Sequence, residues 1–293
     1  MKIVKIIATS FFPRSIRENT ILAGNPPAYS LHSQNFKNSE EIKKLILFNI
    51  QKENECNPGL PVDLVFVNNN VGNEEGNKFI DTLVNKKLKN GKIKVIQNNN
   101  IGWSYGAFSK GFETFKDKYD YFIFTEDDVI IAKDNYAKIS LETFQKTHNC
   151  GFVSYWGISY IHKKLSKDEY IHAHGASGFS SKKILEKIFE KYGKLPHSNS
   201  TDKKDYKNII VDGEIKFTNV IHNMGYKLIE SPIKLFNPAY DLMRGIEKPW
   251  KPKKIVAFSW MAKKKLREFL FKILVCLKLY NFYKNIRQKI FNF

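Results

Sequence analysis

The chain is poor in cysteine and has no long apolar run, no internal repeat and no low-complexity tract. Its 293 residues contain three cysteines, Cys56, Cys150 and Cys276. An odd number of cysteines far apart in the sequence excludes a disulfide framework and a CxxC-type zinc site, and it suits a reducing compartment. No stretch approaches the roughly 18 uncharged apolar residues of a membrane span. The first residues, MKIVKIIATSFFPR, lack the long apolar region and cleavage site of a signal peptide, so we predict a first strand there.

Charge of one sign is concentrated near the end of the chain. Hydrophobic residues make up 42% of the sequence, which is too much for a disordered protein and enough for a large core. Lysine and arginine total 48 against 29 aspartates and glutamates, and the formal net charge is +19. Residues 248–293 hold 13 of these basic residues and a single acid, Glu268. We therefore predict a globular domain over residues 1–247 and a basic amphipathic tail over residues 248–293.

Apolar, β-branched runs alternate with segments of helical periodicity along the predicted domain. The predicted strands are residues 2–9, 63–67, 92–96, 121–124, 151–155 and 226–231. The predicted helices are residues 40–52, 74–88, 104–115, 182–192 and 214–224. This alternation predicts the α/β class, with a mostly parallel central sheet and helices on both faces. Ligands bind such sheets at the carboxyl ends of the strands, and the long connection over residues 11–38 is a candidate functional loop.

An acidic triplet, Glu126-Asp127-Asp128, follows the apolar strand at residues 121–124 after a single threonine. Three adjacent carboxylates repel one another unless a cation neutralises them. Hard divalent cations take oxygen ligands and can be shared with the phosphates of a substrate. A solvated acidic turn explains an isolated triplet equally well, but the preceding buried strand favours a metal site.

A glycine-containing segment, NNIGWSYGAF at residues 99–108, lies one strand-helix unit upstream of the triplet. It connects a predicted strand to a predicted helix, where backbone amides can face an anion. Gly102 and Gly106 allow close approach of the backbone, although glycines often only mark a turn. The occurrence of this segment together with the acidic triplet is a more specific signal of a binding site than either feature alone.

This order of motifs resembles the GT-A glycosyltransferases, particularly those of the family 2 type. The resemblance implies a Rossmann-like fold for nucleotide-diphosphate sugars and a DxD-type motif that holds Mn²⁺ or Mg²⁺ against the donor diphosphate. Glu126-Asp127-Asp128 fills that place, with Glu126 replacing the usual first aspartate. By this match Asp128 is the metal ligand and Asp127 contacts the ribose or the metal. Asn100, Gly102 and Glu126 complete the implied donor site.

Two downstream segments extend the resemblance. The small-residue loop HGASGFS, residues 174–180, is similar to the family's loop beside the donor sugar. Counting back from Gly225-Tyr226 places Glu214 on the family's catalytic-base position, with Asp212 as the alternative base. The same residues also fit a helix start, with Asp212 as the N-cap and Glu214 in the first turn. The sequence leaves that choice open.

The resemblance covers about residues 1–240 and departs from the family at the end of the second strand. The family often places an aspartate there against the nucleotide base, and this chain has Asn68-Asn69-Asn70, which can still pair with a base edge. His172 and His174 are spaced like a metal-binding pair. Two partly exposed loop histidines explain that spacing too, so we leave them out of the predicted metal site.

The resemblance implies a metal-dependent glycosyltransferase that moves a sugar from a nucleotide-diphosphate sugar to a polysaccharide or lipid-linked acceptor. A metal held by Asp128 stabilises the leaving diphosphate, and a carboxylate on the opposite face deprotonates the acceptor hydroxyl. A single displacement of this kind inverts the anomeric carbon. One alternative is a sugar-phosphate nucleotidyltransferase, which should carry a glycine-rich loop after the first strand. The other is a non-enzymatic protein that binds anionic surfaces, which leaves the acidic triplet unexplained.

The basic tail repeats leucine, isoleucine and aromatic residues at three- and four-residue spacing, interrupted by lysines. Such a basic amphipathic segment suits the face of an anionic membrane, although a helix packed on the domain explains the same pattern. No nucleic-acid recognition motif accompanies the charge, so we expect no nucleic-acid partner. The expected location is the cytoplasmic face of a bacterial membrane, with peripheral association.

Overall fold

The computed structural model describes residues 1–11, 39–131, 133–161, 170–201, 209–232 and 237–238. Almost all of the candidate functional loop at residues 11–38 and the whole basic tail at residues 248–293 lie outside the described residues. The role of that loop, the division of the chain into domain and tail, and the membrane contact of the tail therefore stay predictions.

Strands and helices alternate along most of the described chain. The strands are β1 (Ile3–Thr9), β2 (Val62–Asn69), β3 (Lys87–Leu88), β4 (Gly91–Asn98), β5 (Tyr121–Glu126), β6 (Val129–Ile130), β7 (Cys150–Ser154), β8 (Ile158–Ile161), β9 (Tyr170–Ala173), β10 (Gly178–Ser181), β11 (Lys227–Glu230) and β12 (Asn237–Pro238). The helices are α1 (Ser39–Glu55), α2 (Glu74–Asp81), α3 (Trp103–Phe115), α4 (Tyr136–Lys146), α5 (Lys182–Tyr192) and α6 (Lys216–Asn223). A 3₁₀ turn, His174–Ala176, follows β9, and a π-helical turn, Val211–Ile215, leads into α6.

Eight strands form one mixed, mostly parallel sheet in the order β11-β7-β10-β5-β1-β2-β4-β3. Strand β1 is parallel to β2 and β5, β2 is parallel to β4, and β7 is parallel to β11. Strand β10 is antiparallel to both of its neighbours. The register pairs Thr9 with Asn68, Asn68 with Gln97 and Ala8 with Glu126, so the carboxyl ends of four parallel strands meet at one edge.

Helices cover both faces of this sheet, as the alternation of buried side chains along β1 requires. Val4, Ile6 and Ala8 belong to a core cluster that also contains buried residues of α3, α5 and α6. Ile3 and Ile7 point to the opposite face, where they pack in clusters with buried residues of α1, α2 and α4. The predicted fold class is confirmed: a Rossmann-like α/β domain with a mostly parallel central sheet between two layers of helices.

The structure corrects several predicted elements. The helix expected over residues 74–88 ends at Asp81, because Asn85 has φ of 62° and Lys87–Leu88 pairs with β4 as an antiparallel strand. The helix expected over residues 214–224 begins earlier, and its first part is the π-helical turn that contains Glu214. Helix α4, the β8–β9 pair and the antiparallel strand β10 were not predicted from the sequence.

Candidate active site

The acidic triplet forms a turn at the carboxyl end of β5. Glu126 is the last residue of β5, and Asp127 and Asp128 lie in the turn that leads to β6. The end of β1 holds this turn, because the Asp127 amide donates to the Ala8 carbonyl at 3.1 Å and the Thr9 hydroxyl donates to the Asp127 carboxylate. All three acidic side chains are partly buried, so the triplet is not the solvated turn of the alternative interpretation.

Helix α1, which lies on the face of the sheet opposite to α3, supports the same turn. The buried Asn49 side chain donates to the Asp127 carbonyl at 2.7 Å. Lys5 donates to the Ile131 carbonyl at 2.7 Å and forms a buried ion pair with Glu53 of α1. The backbone is therefore tied down on both sides of the acidic residues.

The glycine-containing segment turns sharply between β4 and α3. Asn100, Gly102 and Trp103 have φ of 51°, 73° and 55°, so three of four consecutive residues are in the left-handed region. A Cβ atom on Gly102 would lie 2.5 Å from His197 Nδ1, and the Gly102 amide donates to the Ser200 carbonyl at 3.1 Å. Gly102 is therefore required for packing against residues 197–200, and its own amide hydrogen is already used within the protein.

The first turn of α3 joins the acidic turn to a second acidic group. Ser104 lies beside Glu126 and acts to lower its pKa, and the hydroxyl of the next residue, Tyr105, donates to Glu214 Oε2 at 3.2 Å. A Cβ atom on Gly213 would lie 2.1 Å from Tyr105 Cδ2. A glycine is therefore required at position 213, where the family resemblance expects an acidic residue.

Glu126 has an unusual proton affinity. Burial, together with the nearby charges of Asp128 and Asp127, raises the pKa of Glu126 to about 8, although the hydrogen bond from Ser104 acts in the opposite direction. The charge of Glu214 contributes to the same shift, so the two acidic groups lie close enough to interact. Without a cation, the acidic turn therefore retains a proton at neutral pH.

Glu214 lies in the π-helical turn, an irregularity that is frequent at functional sites. Its Oε1 atom lies 3.7 Å from His174 Nδ1 and 3.9 Å from His172 Nε2. Burial acts to raise the pKa of Glu214, but hydrogen bonds from His174 and from the Gly175 backbone, with the charges of both histidines, lower it overall. Glu214 is consequently a carboxylate at neutral pH.

The structure does not bring Asp212 to this group. Its side chain is 44% exposed, against 15% for Glu214, and its carboxylate lies 3.8 Å from Lys216 Nζ. Residues 209 and 210 are already helical, so Asp212 lies inside the helix and not at its N-cap. The helix-cap interpretation of Asp212 is therefore wrong, and the geometry favours Glu214 over Asp212 as the acid that faces the site.

His172 and His174 were left out of the predicted metal site, yet they lie beside Glu214. Strand β9 ends at Ala173, and its alternation places the two histidines on one side of the chain. Within the described part of the chain, these three residues form the group whose ligand atoms lie within 4.8 Å of one another. Burial and the neighbouring His174 lower the pKa of His172, although Glu214 opposes the shift. The His-x-His spacing was a signal for this group, but its third member comes from a distant helix.

The asparagines at the end of β2 bond mainly to other amide side chains. Asn68 is buried and donates to Asn77 at 2.6 Å and to Gln97 at 2.8 Å. Asn98 donates to the side chain of Asn69 at 2.6 Å. The position where the family often carries an aspartate thus belongs to an uncharged amide network between β2, α2 and β4.

No protein-family model and no curated protein matches the chain. Among solved structures, it is similar to 4-diphosphocytidyl-2C-methyl-D-erythritol synthase from Anaerococcus prevotii, with 10% identity over 84% of this chain and 95% of that one, at a TM-score of 0.39. It is also similar to the mannosyltransferase PcManGT from Pyrobaculum calidifontis in complex with GDP-Man and Mn²⁺, with 12% identity over 80% and 55% of the two chains and a TM-score of 0.40. For S. aureus TarS 1-349, the identity is 11% over 84% and 64%, and the TM-score is 0.41.

A mannosyltransferase is among these structural neighbours. Among the described residues, no helix combines the length and the apolar character that crossing a membrane requires.

Proposed function

We propose that this chain is a metal-dependent glycosyltransferase that moves a sugar from a nucleotide-diphosphate sugar to a hydroxyl acceptor with inversion. One observation carries the proposal. The Tyr105 hydroxyl of α3 donates to Glu214, and the preceding residue, Ser104, lies beside Glu126 of the acidic turn, so two acidic groups of different character lie close enough to interact. Environments that push the pKa values of two carboxyls apart are typical of a site where the two have different roles.

The acidic turn fits a divalent cation. Its donors are carboxylate oxygens, which hard cations prefer, and the raised pKa of Glu126 reflects burial and repulsion that a cation would relieve. Asp128 would be the main ligand, with Asp127 and Glu126 beside it. A bound Mn²⁺ or Mg²⁺ would supply charge stabilisation for the leaving diphosphate. Thr9 and Asn49 hold Asp127 in place for this role.

Glu214 has the properties of the general base. It is ionised at neutral pH, Tyr105 and His174 orient it, and it is separated from the acidic turn by the first turn of α3. It accepts the proton of the acceptor hydroxyl as that oxygen attacks the anomeric carbon. Attack on the face opposite to the leaving diphosphate is a single displacement, which inverts the configuration.

We place the enzyme at the inner face of a bacterial membrane, with a polysaccharide or lipid-linked acceptor. The support is the basic, amphipathic sequence of residues 248–293, which suits an anionic lipid surface and would hold the domain near lipid-linked substrates.

A panel of nucleotide-diphosphate sugars, assayed for Mn²⁺-dependent hydrolysis, tests the proposal. We expect one or a few donors to be hydrolysed by the wild type, and Asp128→Asn to abolish the reaction while the fold is retained. Asp117→Asn is the matched control, because Asp117 is exposed just before β5, at the end of the strand away from the acidic turn. Unchanged hydrolysis by Asp128→Asn at saturating donor would contradict the metal assignment.

The same protein should be assayed with nucleoside triphosphates and sugar phosphates. Release of pyrophosphate in that assay, with no hydrolysis of any nucleotide-diphosphate sugar, would support a nucleotidyltransferase instead. The sequence after β1, Thr9-Ser10-Phe11, has none of the glycines that such an enzyme should carry there, so we expect no pyrophosphate release.

A further inference from the structure

We propose that His172, His174 and Glu214 form a second metal site, separate from the acidic turn, which takes Zn²⁺ or a similar transition-metal ion. The binding of the ion goes beyond the proposed glycosyl transfer. Its consequence, inhibition through Glu214, rests on the proposed function.

The three ligand atoms are spaced for one ion. They all lie within 4.8 Å of one another, and Glu214 Oε1 is 3.7 Å from His174 Nδ1 and 3.9 Å from His172 Nε2. An ion placed equally far from three atoms so spaced lies within about 2.5 Å of each, and zinc bonds to nitrogen and oxygen are about 2.0–2.2 Å long. A contraction of a few tenths of an ångström therefore completes the site.

The donor set favours a different metal from the one that the acidic turn would take. Two imidazoles and one carboxylate suit zinc and its transition-metal neighbours, whereas Mg²⁺ prefers oxygen ligands. Three protein ligands leave a fourth position open, as in catalytic zinc sites. The His174 side chain is 43% exposed, while those of His172 and Glu214 are 12% and 15% exposed, so an ion can enter from the His174 side.

Hydrogen bonds hold the histidine segment against the helix that carries Glu214. The Ala173 amide, between the two histidines, donates to the Thr218 hydroxyl at 2.9 Å. Thr218 in turn donates to the Glu214 carbonyl at 3.4 Å. The His174 amide donates to the Gly157 carbonyl at 3.0 Å. The protein therefore presents the three ligands on segments that hydrogen bonds connect, and it does not depend on the metal to bring them together.

Occupancy of this site conflicts with the role of Glu214 as a base. A carboxylate bound to a transition-metal ion is a much weaker base, because the ion withdraws charge from it. Zn²⁺ should therefore inhibit transfer that Mn²⁺ or Mg²⁺ supports at the acidic turn, and excess Mn²⁺, which keeps Zn²⁺ off that turn, should not relieve the inhibition.

Binding of Zn²⁺ alone and of Co²⁺ alone tests the site without any nucleotide. Tag-free, full-length protein is freed of metal with a chelator and given excess Mg²⁺ to occupy the acidic turn. It is then titrated by calorimetry with Zn²⁺ and by visible absorption with Co²⁺. We expect one stoichiometric site, with cobalt bands typical of nitrogen ligation, and a loss of affinity of about 10-fold or more in both His172→Ala and His174→Ala.

His148→Ala is the matched control, because His148 is exposed just before β7, at the end of that strand away from the site. It should bind both ions like the wild type, and so should Asp128→Asn. Circular dichroism should confirm that each variant is folded. Absence of a stoichiometric site in the wild type, or wild-type affinity in both histidine variants, would overturn the proposal.

A separate assay tests the inhibition. With saturating Mn²⁺ and donor, Zn²⁺ near its dissociation constant should halve turnover by the wild type and have a weaker effect on His174→Ala. If Zn²⁺ binds through the two histidines but does not inhibit, the metal site stands and the assignment of Glu214 as the base fails. If no donor is turned over, the binding titration still decides the metal site.

Discussion

Glu126 and Glu214 differ in pKa because the groups around them differ. Glu126 lies among other acids, and burial with their charge raises its pKa to about 8. Glu214 lies beside two histidines, and its pKa is lowered despite burial. The sequence singled out both acids as candidates but did not predict this difference in pKa, because the histidines and Ser104 reach these groups only through the fold.

The raised pKa of Glu126 predicts how the stability of the metal-free protein depends on pH. Between its ordinary value of 4.5 and about 8, the folded chain holds a proton that the unfolded chain has lost, so this group makes folding less favourable as the pH rises. We expect Glu126→Gln to gain stability relative to the wild type as the pH goes from 5 to 8. Urea unfolding in the presence of a chelator, at several pH values, measures the difference.

The comparison with Glu126→Gln is necessary because burial lowers the pKa values of His172 and His197. Those groups add stability as the pH rises through the same range, but they do so equally in both proteins. A difference between the two proteins that does not change with pH would mean that Glu126 ionises normally. Addition of Mn²⁺ at pH 8 should stabilise the wild type more than Asp128→Asn.

The assignment of Glu214 as the base predicts a loss of turnover when its carboxylate is replaced. Glu214→Gln should lower kcat by a factor on the order of 10²–10⁴, with donor binding largely retained, because the amide cannot accept the acceptor proton. Asp212→Asn should lower kcat by a smaller factor, since Asp212 faces Lys216 and not the site. Steady-state kinetics with a donor from the panel measure both. A larger loss in Asp212→Asn would move the base to that residue.

Helix α1 helps to position the acidic turn, a role that its own sequence does not indicate. Helix α1 lies on the face of the sheet opposite to α3, yet Asn49 and Glu53 of α1 hold the backbone of the acidic turn, directly and through Lys5. Nothing in the periodicity of α1 indicates this role, because Asn49 and Glu53 interrupt an otherwise apolar stripe. A buried polar residue on the inner face of a helix was the available signal.

Removal of the Asn49 side chain tests the support from α1. Asn49→Ala removes the Asn49 donor from the part-buried Asp127 carbonyl, so we expect a loss of about 1–3 kcal/mol in the free energy of unfolding. Affinity for Mn²⁺ should fall as well, because Asp127 is less firmly held. Gln51→Ala, on the exposed face of the same helix, should change neither quantity. Urea unfolding and metal titration measure the two effects, and a normal Mn²⁺ affinity in Asn49→Ala would contradict the positioning role.

The elements that the sequence predicted are those with clear alternation. Strands β1, β2, β4 and β5 and helices α3 and α5 lie where the apolar periodicity placed them, within a few residues. Antiparallel β10 was missed because the small residues of Gly178–Ser181 have no apolar alternation. Strand β3 was missed because Leu83 and Leu88 continue a helical spacing, although Asn90-Gly91 is a hairpin signal.

At the scale of the whole molecule, the topology brings distant segments to one edge of the sheet. The acidic triplet and the glycine-containing segment follow consecutive parallel strands of the sequence, so their placement at one edge of the sheet was predictable. Strands β2 and β1 lie between β4 and β5, however, and it is α3 that spans this distance. The family resemblance implied that Glu214 lies at the site, but nothing in the sequence predicted that the two histidines lie beside it. Their position depends on the β8–β9 pair and on how α6 packs against β9. Long-range contacts of this kind have no local sequence signal.

The basic tail gives a prediction for the full chain. Full-length protein should co-sediment with anionic vesicles, bind neutral vesicles more weakly and partly resist extraction by salt, because the tail combines +12 of charge with a stripe of leucine and aromatic residues. Removal of residues 250–293 should release the protein and leave Mn²⁺-dependent nucleotide binding intact. If the shortened chain unfolds and the full chain ignores anionic vesicles, the tail belongs to the core.

The central claim is that the acidic turn binds metal and donor while Glu214 acts in the chemical step. Calorimetric titration with nucleoside diphosphates, with Mn²⁺ and with a chelator, tests this division directly. We expect binding to the wild type to require Mn²⁺, to be lost in Asp128→Asn and to be retained in Glu214→Gln. Equal affinity with Mn²⁺ and with the chelator, or normal binding by Asp128→Asn, would contradict the account.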